Sequence, residues 1–316
     1  MSIILKICQY PKIKHINTIG IYTMYKNLIM KSIRDIFENY EAIGRALVIP
    51  TVLLLVLNFA STAMTSPDKN FSIASIFFIF LSLLVDIIIL ITVHRILILG
   101  NDSVPKWGMQ KFEKREFAFF QKYLIVALVF VVVVVLSTAG LKIIGINIFA
   151  SMFLTMMVCA VFLSRISLVF PAIAVDTKMS FKDSFEFTRD FKLLIFVTVI
   201  VFPVAFSLII GGIYTFIISM LVASISPHLN LLMVLLNVVI SVFLVSALSN
   251  TYMYISECLS HNANYENDIN DEVDEESNDQ ENNEIIEENI EAQNDSTDEE
   301  IQNDESIDTD SKKDKE

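Results

Sequence analysis

Six long apolar runs dominate the chain, at Ala46 to Met64, Ser72 to Val93, Tyr123 to Leu141, Ile146 to Ser164, Leu193 to Ile213 and Leu229 to Tyr252. A helix needs about 20 such residues to cross a hydrocarbon core about 30 Å thick, because each residue adds about 1.5 Å. The runs are unbroken rather than alternating. Lipid also offers no hydrogen-bond partner to an open strand edge, so each run predicts a helix and none a barrel strand. The predicted fold class is all-α: a polytopic transmembrane bundle of about six spans, with amphipathic helices on its inner face and a disordered acidic C-terminal tail.

The connecting segments carry patterns of their own. Between Leu28 and Tyr40 the apolar residues Ile29, Ile33, Ile36, Phe37 and Tyr40 recur at helical spacing opposite Lys26, Lys31, Arg34, Asp35 and Glu38, which predicts an amphipathic interfacial helix. The second inner loop mixes Trp107, Phe112, Phe117, Phe119 and Phe120 with Lys111, Lys114 and Arg115, a blend suited to the headgroup layer. In the third, Ser180 followed by Asp183 forms a capping-box pattern. It predicts a helix starting at Phe181 and leading straight into the fifth span. Tyr214 to Ser226 is apolar but too short to cross, and reads either as an extension of the fifth helix or as a segment at the outer interface. Pro203 and the Gly211-Gly212 pair permit a kink there.

Charge orients these spans. Lys and Arg number 7 before the first span, then 1, 6, 1, 5 and 0 in successive connections, and 3 in the tail. Cytoplasmic loops retain Lys and Arg, so the N-terminus and the loops Arg95 to Lys122 and Arg165 to Lys192 are predicted inside, with the turns Thr65 to Phe71 and Lys142 to Gly145 outside. Six spans then return the C-terminus to the cytoplasm. The predicted organisation is a cytoplasmic N-terminal segment with its amphipathic helix (1–45), a transmembrane domain (46–254) and an acidic cytoplasmic tail (255–316). No cleaved secretory signal is expected ahead of the first run, since the apolar stretch Ile3 to Leu5 is too short for one, and Met1, Met24 and Met30 are alternative translation starts.

Composition agrees: 54% of the 316 residues are hydrophobic and mean hydropathy is +0.58, too apolar for a soluble domain. The net charge of -13 hides a split between a basic body and a strongly acidic tail. That tail, rich in Asp, Glu, Asn and Ser, cannot collapse into a core. Its Glu284 to Ala292 stretch suits a transient helix on a basic partner. Cys8, Cys159 and Cys258 show no metal-ligand spacing and argue against a disulfide framework. No HExxH, GxSxG or glycine-rich phosphate loop occurs, so no catalytic residue, cofactor, metal or nucleic-acid partner is expected.

Asp86 is the sharpest single residue, because an ionised side chain inside a span costs several kcal/mol unless it is paired or neutralised. With Asn58 and Asn237 it forms the candidate intramembrane polar site, to bind a proton or cation or simply to pack by hydrogen bonding. Arg45, Arg95 and Arg165 all fall at inner ends of spans. They are candidate lipid-phosphate contacts, since a guanidinium suits bidentate phosphate binding, or else anchors of topology.

Laying Arg95 to Lys122 over Arg165 to Lys192 without a gap matches six of 28 positions, among them Arg95/Arg165, Glu116/Glu186 and Phe117/Phe187. This suggests a parallel duplication in which Arg95 and Arg165 are equivalent.

The third loop reads Ser164-Arg165-Ile166-Ser167-Leu168-Val169-Phe170-Pro171-Ala172-Ile173-Ala174, then Met179-Ser180-Phe181, then Ser184-Phe185-Glu186-Phe187-Thr188-Arg189. It resembles a pattern of bacterial polytopic membrane proteins, similar to the YciC-like family and to the membrane domain of glycerophosphoryl diester phosphodiesterases. Phe185 stands where the pattern favours tryptophan, and Asp190 where it favours glycine. The stretches outside the spans are too short for a phosphodiesterase catalytic barrel. The resemblance implies an inner-membrane module of a bacterium without an assigned reaction.

Three functions are in view. The leading one is a non-enzymatic factor that organises the inner membrane through lipids, or through protein partners at its inner loops and acidic tail. The alternatives are a small transporter or lipid translocase using Asp86, and an intramembrane enzyme of unrecognised type.

Overall fold

The computed structural model describes residues 18–64, 73–108 and 112–260. Among these residues 88% are helical and no strand occurs. Six helices are long and apolar enough to cross a membrane, and the chain is an integral membrane protein built as an all-α bundle.

In order, α1 is Thr18–Glu38, α2 Tyr40–Met64, α3 Ile73–Leu99, α4 Lys114–Ile143, α5 Ile148–Ile166, α6 Val169–Ala174 and α7 Phe181–Phe187. Then come α8, Lys192–Ser224, and α9, residues 233–260, entered through the 3-10 turn Pro227–Leu232. The spans are α2, α3, α4, α5 continued by α6, α8 and α9. Much of their surface is apolar and uncovered. None of the most apolar stretch of α4 is buried within the protein, and Leu128, Val135 and Leu136 on it are exposed. Contiguous apolar surface of that extent is stable only against hydrocarbon.

Three apolar clusters meet around α3, α6 and α9. Leu47 and Leu54 of α2 pack with Val85, Ile89 and Val93 of α3 and Val242 and Val245 of α9. Leu168 and Ala172 beside and within α6 pack with Ile195 and Val199 of α8 and Leu248, Tyr252 and Ile255 of α9. Ile87 and Ile91 of α3 meet Phe119 of α4 and Val169 and Ile173 of α6.

Two prolines shape the spans. Pro171 has no N–H to give the Ser167 carbonyl, which accepts from Phe170 at 3.1 Å instead, and the helix breaks there into α5 and the short buried α6. Pro203 ends a π-helical stretch, Phe196–Val201, inside α8, so Pro203 does act on the backbone as its sequence suggests. Beyond it α8 continues unbroken to Ser224. Tyr214 to Ser224 is therefore an extension of the fifth helix. α8 meets the last span through the Phe206 and Phe243 rings, stacked at 3.9 Å, and through the Tyr214 hydroxyl, which donates to the Leu232 carbonyl at 2.9 Å.

The helix predicted at Phe181 forms with the expected capping box. The Asp183 amide donates to Ser180 Oγ at 3.1 Å and the Ser180 amide to Asp183 Oδ2 at 2.8 Å. Hydrogen bonding from the Ser180 amide, and second from its side chain, holds the Asp183 carboxyl below the usual aspartate range. The helix does not lead straight into the fifth span, however. It ends at Phe187, and the chain turns through residues 188–191 before α8 begins. The outer turn Thr65 to Phe71, the tail beyond Ser260 and the first translation start lie outside the described residues.

Candidate functional site

The cation-rich end of the bundle is cross-braced. Asp176 follows the C-terminus of α6 with φ 62°, a left-handed conformation that Asp tolerates better than most residues. Its amide donates to the Ile173 carbonyl at 3.0 Å and the Thr177 amide to the Ala172 carbonyl at 2.9 Å, the pair of bonds that closes a Schellman cap. The cap aims the Asp176 carboxylate and the free Ala174 carbonyl at Arg95 on α3. Arg95 Nη1 donates to Asp176 Oδ2 at 2.8 Å and to Ala174 O at 3.0 Å, while its Nε donates to Ser103 O at 3.2 Å. Arg115, in the first turn of α4, approaches the same carboxylate at 3.4 Å and pairs at 2.6 Å with the buried Glu116. Glu116 in turn accepts from the Glu113 amide at 2.9 Å, completing the capping box of α4. Three helices, α3, α4 and α6, are thus tied at one acid.

Arg165 plays a different part. It is 9% exposed, donates from Nη2 to Phe185 O at 2.6 Å and from Nε to Thr188 Oγ1 at 3.2 Å, and lies over the Phe185 ring at 3.2 Å. Ser184 Oγ donates back to the Arg165 carbonyl at 2.7 Å. This arginine fastens α7 to the end of α5. Lys122 adds a second tie, over the Phe181 ring at 4.7 Å. Arg95 and Arg165 are therefore not equivalent in environment. The matched pair Glu116 and Glu186 also differs, one buried and the other exposed beside Lys182.

Among the candidate lipid-phosphate arginines, Arg95 and Arg165 direct donors into the protein, whereas Arg45 stays exposed in a pair with Glu41 one turn away. Arg45 lies beside a cavity of about 500 Å³ with Glu38, Glu41, Asn101, Asp102 and Lys106 on its walls. The loop forming one wall is pressed on α2 at Gly108, where φ is +67° and an added Cβ would sit 1.8 Å from the Ala46 carbonyl oxygen.

Asp86, Asn58 and Asn237 are all exposed on their helices, and among the described residues no hydrogen bond joins them. Asp86 lies within electrostatic reach of Tyr123.

A polar layer that the sequence reading missed sits deeper. Residues 246–251 of α9 are all buried. Ser249 Oγ meets His94 Nδ1 at 2.7 Å, Ser246 Oγ donates to the Ser32 carbonyl of α1 at 2.7 Å, and Thr251 Oγ1 lies 3.0 Å from Thr198 Oγ1 of α8. The signal was present, since Ser246, Ser249, Asn250 and Thr251 interrupt an otherwise apolar run. Cys159 is free and buried. The cysteine expectation needs amending at Cys258, which is disulfide-bonded. Among the described residues no group of three or more His, Cys, Asp or Glu could hold a metal ion.

No family model, curated protein or solved structure matches the chain.

Proposed function

We propose that the chain is a non-enzymatic factor of a bacterial inner membrane, working through lipid and protein contacts at its cytoplasmic, cation-rich face. The observation that carries this reading is the use of the charged groups there. Arg95, Arg115, Asp176 and Glu116 brace one connection against another, which makes a fixed platform rather than a passage. Around that platform Trp107, Phe112 and Phe117 are exposed beside exposed Lys106 and Lys114. Aromatic rings with cations favour the headgroup layer of an anionic leaflet. The cavity beside Arg45 adds a recess of headgroup size carrying both signs of charge. The alternating Lys and Arg count supports cytoplasmic termini. The resemblance of residues 164–189 to the YciC-like pattern is compatible with such a module.

Trp107 is the sole tryptophan of the chain, so its fluorescence reports this face directly. In vesicles containing phosphatidylglycerol, lipids brominated near the headgroup should quench it more strongly than lipids brominated at the chain ends, and aqueous iodide only weakly. In intact cells, photocrosslinkers placed at Phe112 and Phe117 should capture the same defined lipid or protein partners in repeated trials. Full iodide access together with clean negatives at efficient labelling would remove the reading.

A further inference from the structure

Beside Arg45 the bundle carries a recess of about 500 Å³, with Glu38, Glu41 and Arg45 on one wall and Asn101, Asp102 and Lys106 on the other. Both walls are fixed. On the helical side the chain passes from α1 into α2 through Asn39, whose side-chain amide and backbone N–H both donate to the Asp35 carbonyl, at 2.8 and 3.1 Å. On the loop side Arg95 Nε holds the Ser103 carbonyl, Val104 packs against the apolar cluster of α2, α3 and α9, and Gly108 is pressed on Ala46. A recess held in this way is preorganised, so filling it costs little ordering.

Its charge is mixed and unequal. Three carboxylates stand against one guanidinium and one ammonium, and among the described residues only Arg45 and Glu41 of the five pair with each other. That pair occupies Nη2 of Arg45, one nitrogen of a group with five N–H donors, so Arg45 can still grip a phosphate, and Lys106 adds a second cation. Glu38 and Asp102 have no cation of the recess paired with them, and a primary ammonium brings three N–H donors to such acceptors. A simple anion or a simple cation serves only half of these groups. A zwitterion serves both. The depth of the recess decides where that zwitterion comes from. The apolar run of α2 begins at Ala46, next to Arg45, and Ile49, Leu53 and Val56 are exposed one, two and three turns further along the same face. A headgroup seated in the recess has an apolar track below it for its acyl chains.

We propose that this recess binds phosphatidylethanolamine, with Arg45 and Lys106 on the phosphate, Glu38, Glu41 and Asp102 around the ammonium, and the acyl chains along Ile49, Leu53 and Val56. The inference rests on the reading of this face as lipid-contacting and names the lipid. Phosphatidylcholine carries the same charges, but its trimethylated nitrogen is bulkier and has no N–H to donate. Phosphatidylglycerol brings no cation and meets the excess of carboxylates.

The test is binding of short-chain lipids to the full chain in mild detergent, followed through the emission of Trp107, which adjoins Lys106. Phosphatidylethanolamine should bind about fivefold or more tighter than phosphatidylcholine or phosphatidylglycerol of the same chain length, about the worth of one well-placed ion pair. Glu38→Gln combined with Asp102→Asn should bring it down to the level of phosphatidylcholine, and Lys106→Ala should weaken both of these lipids. All three positions are exposed, so the variants should keep the fold, which their unfolding midpoints check. Equal affinities for the three lipids, tightest binding of phosphatidylglycerol, or a preference undiminished in the double variant would overturn the proposal. So would soluble phosphoethanolamine binding as tightly as the lipid, since the acyl chains would then contribute nothing. Quenching of Trp107 by headgroup bromine in vesicles, without any preference among headgroups, would sink this inference and leave the lipid-facing platform standing.

Discussion

Arg95 and Asp176, 81 positions apart, meet at 2.8 Å because a Schellman cap turns the aspartate out of α6 in a left-handed conformation. The contact joins α3 to the third loop at the end of the bundle where the cations gather. Its value is limited by solvent, since the Asp176 side chain is 57% exposed.

Replacing Asp176 separates charge from backbone. Asp176→Asn keeps a residue that accepts positive φ and loses only the charge, so it should cost about 0.5–1 kcal/mol. That loss should shrink as choline chloride rises. Asp176→Ala adds backbone strain and should cost about 1 kcal/mol more, whereas Asp176→Gly should not. Midpoints for the three variants at low and high salt decide the matter, and equal losses for alanine and asparagine would contradict the account.

Arg165 should resist conservative exchange. Its fork serves a carbonyl, a hydroxyl and a ring together, which a lysine ammonium cannot match. Arg165→Lys should lose about 2 kcal/mol, Arg165→Ala about 3 kcal/mol or more, and both should open the 175–191 connection to protease while α2 and α3 stay protected. Phe185→Trp, by contrast, should stabilise by about 0.5 kcal/mol through a stronger cation–π contact. Unchanged proteolysis in Arg165→Ala would remove this assignment.

Gly108 and Gly140 make a matched pair. Alanine at Gly108 meets backbone at 1.8 Å, whereas at Gly140 it meets nothing within 4 Å. Gly108→Ala should therefore cost about 2 kcal/mol or more and detach the loop from α2. Gly140→Ala should be neutral or gain a few tenths of a kcal/mol, about the helix propensity difference. Unfolding midpoints, with crosslinking between cysteines placed at Ala46 and Trp107, check both effects.

Asp86 projects from an exposed face of α3. Asp86→Leu should leave accumulation in the membrane intact and raise the unfolding midpoint, because a carboxyl in contact with hydrocarbon costs free energy that leucine does not. A fall in the midpoint would show that Asp86 has a stabilising partner, and would revive a coupling role for it.

Much of this architecture was legible along the chain, for one physical reason. Hydrocarbon imposes a length of about 20 apolar residues on every span, so six such runs define six helices without knowledge of their neighbours. Local chemistry was equally readable at Ser180 and Asp183, where capping partners sit three positions apart. The stop after Phe187 was not, because turning there depends on Arg165 holding the Phe185 carbonyl from another helix. The same holds for the polar residues. Sequence marks Asp86, Asn58 and Asn237 as costly in lipid, yet only the rotation of packed helices puts them on exposed faces and turns Ser249, Asn250, Thr251 and His94 inward. Composition and periodicity are properties of single segments and determine that spans exist. Which side chains face one another depends on how the segments pack, and that is decided only when α3, α6 and α9 close around a shared core.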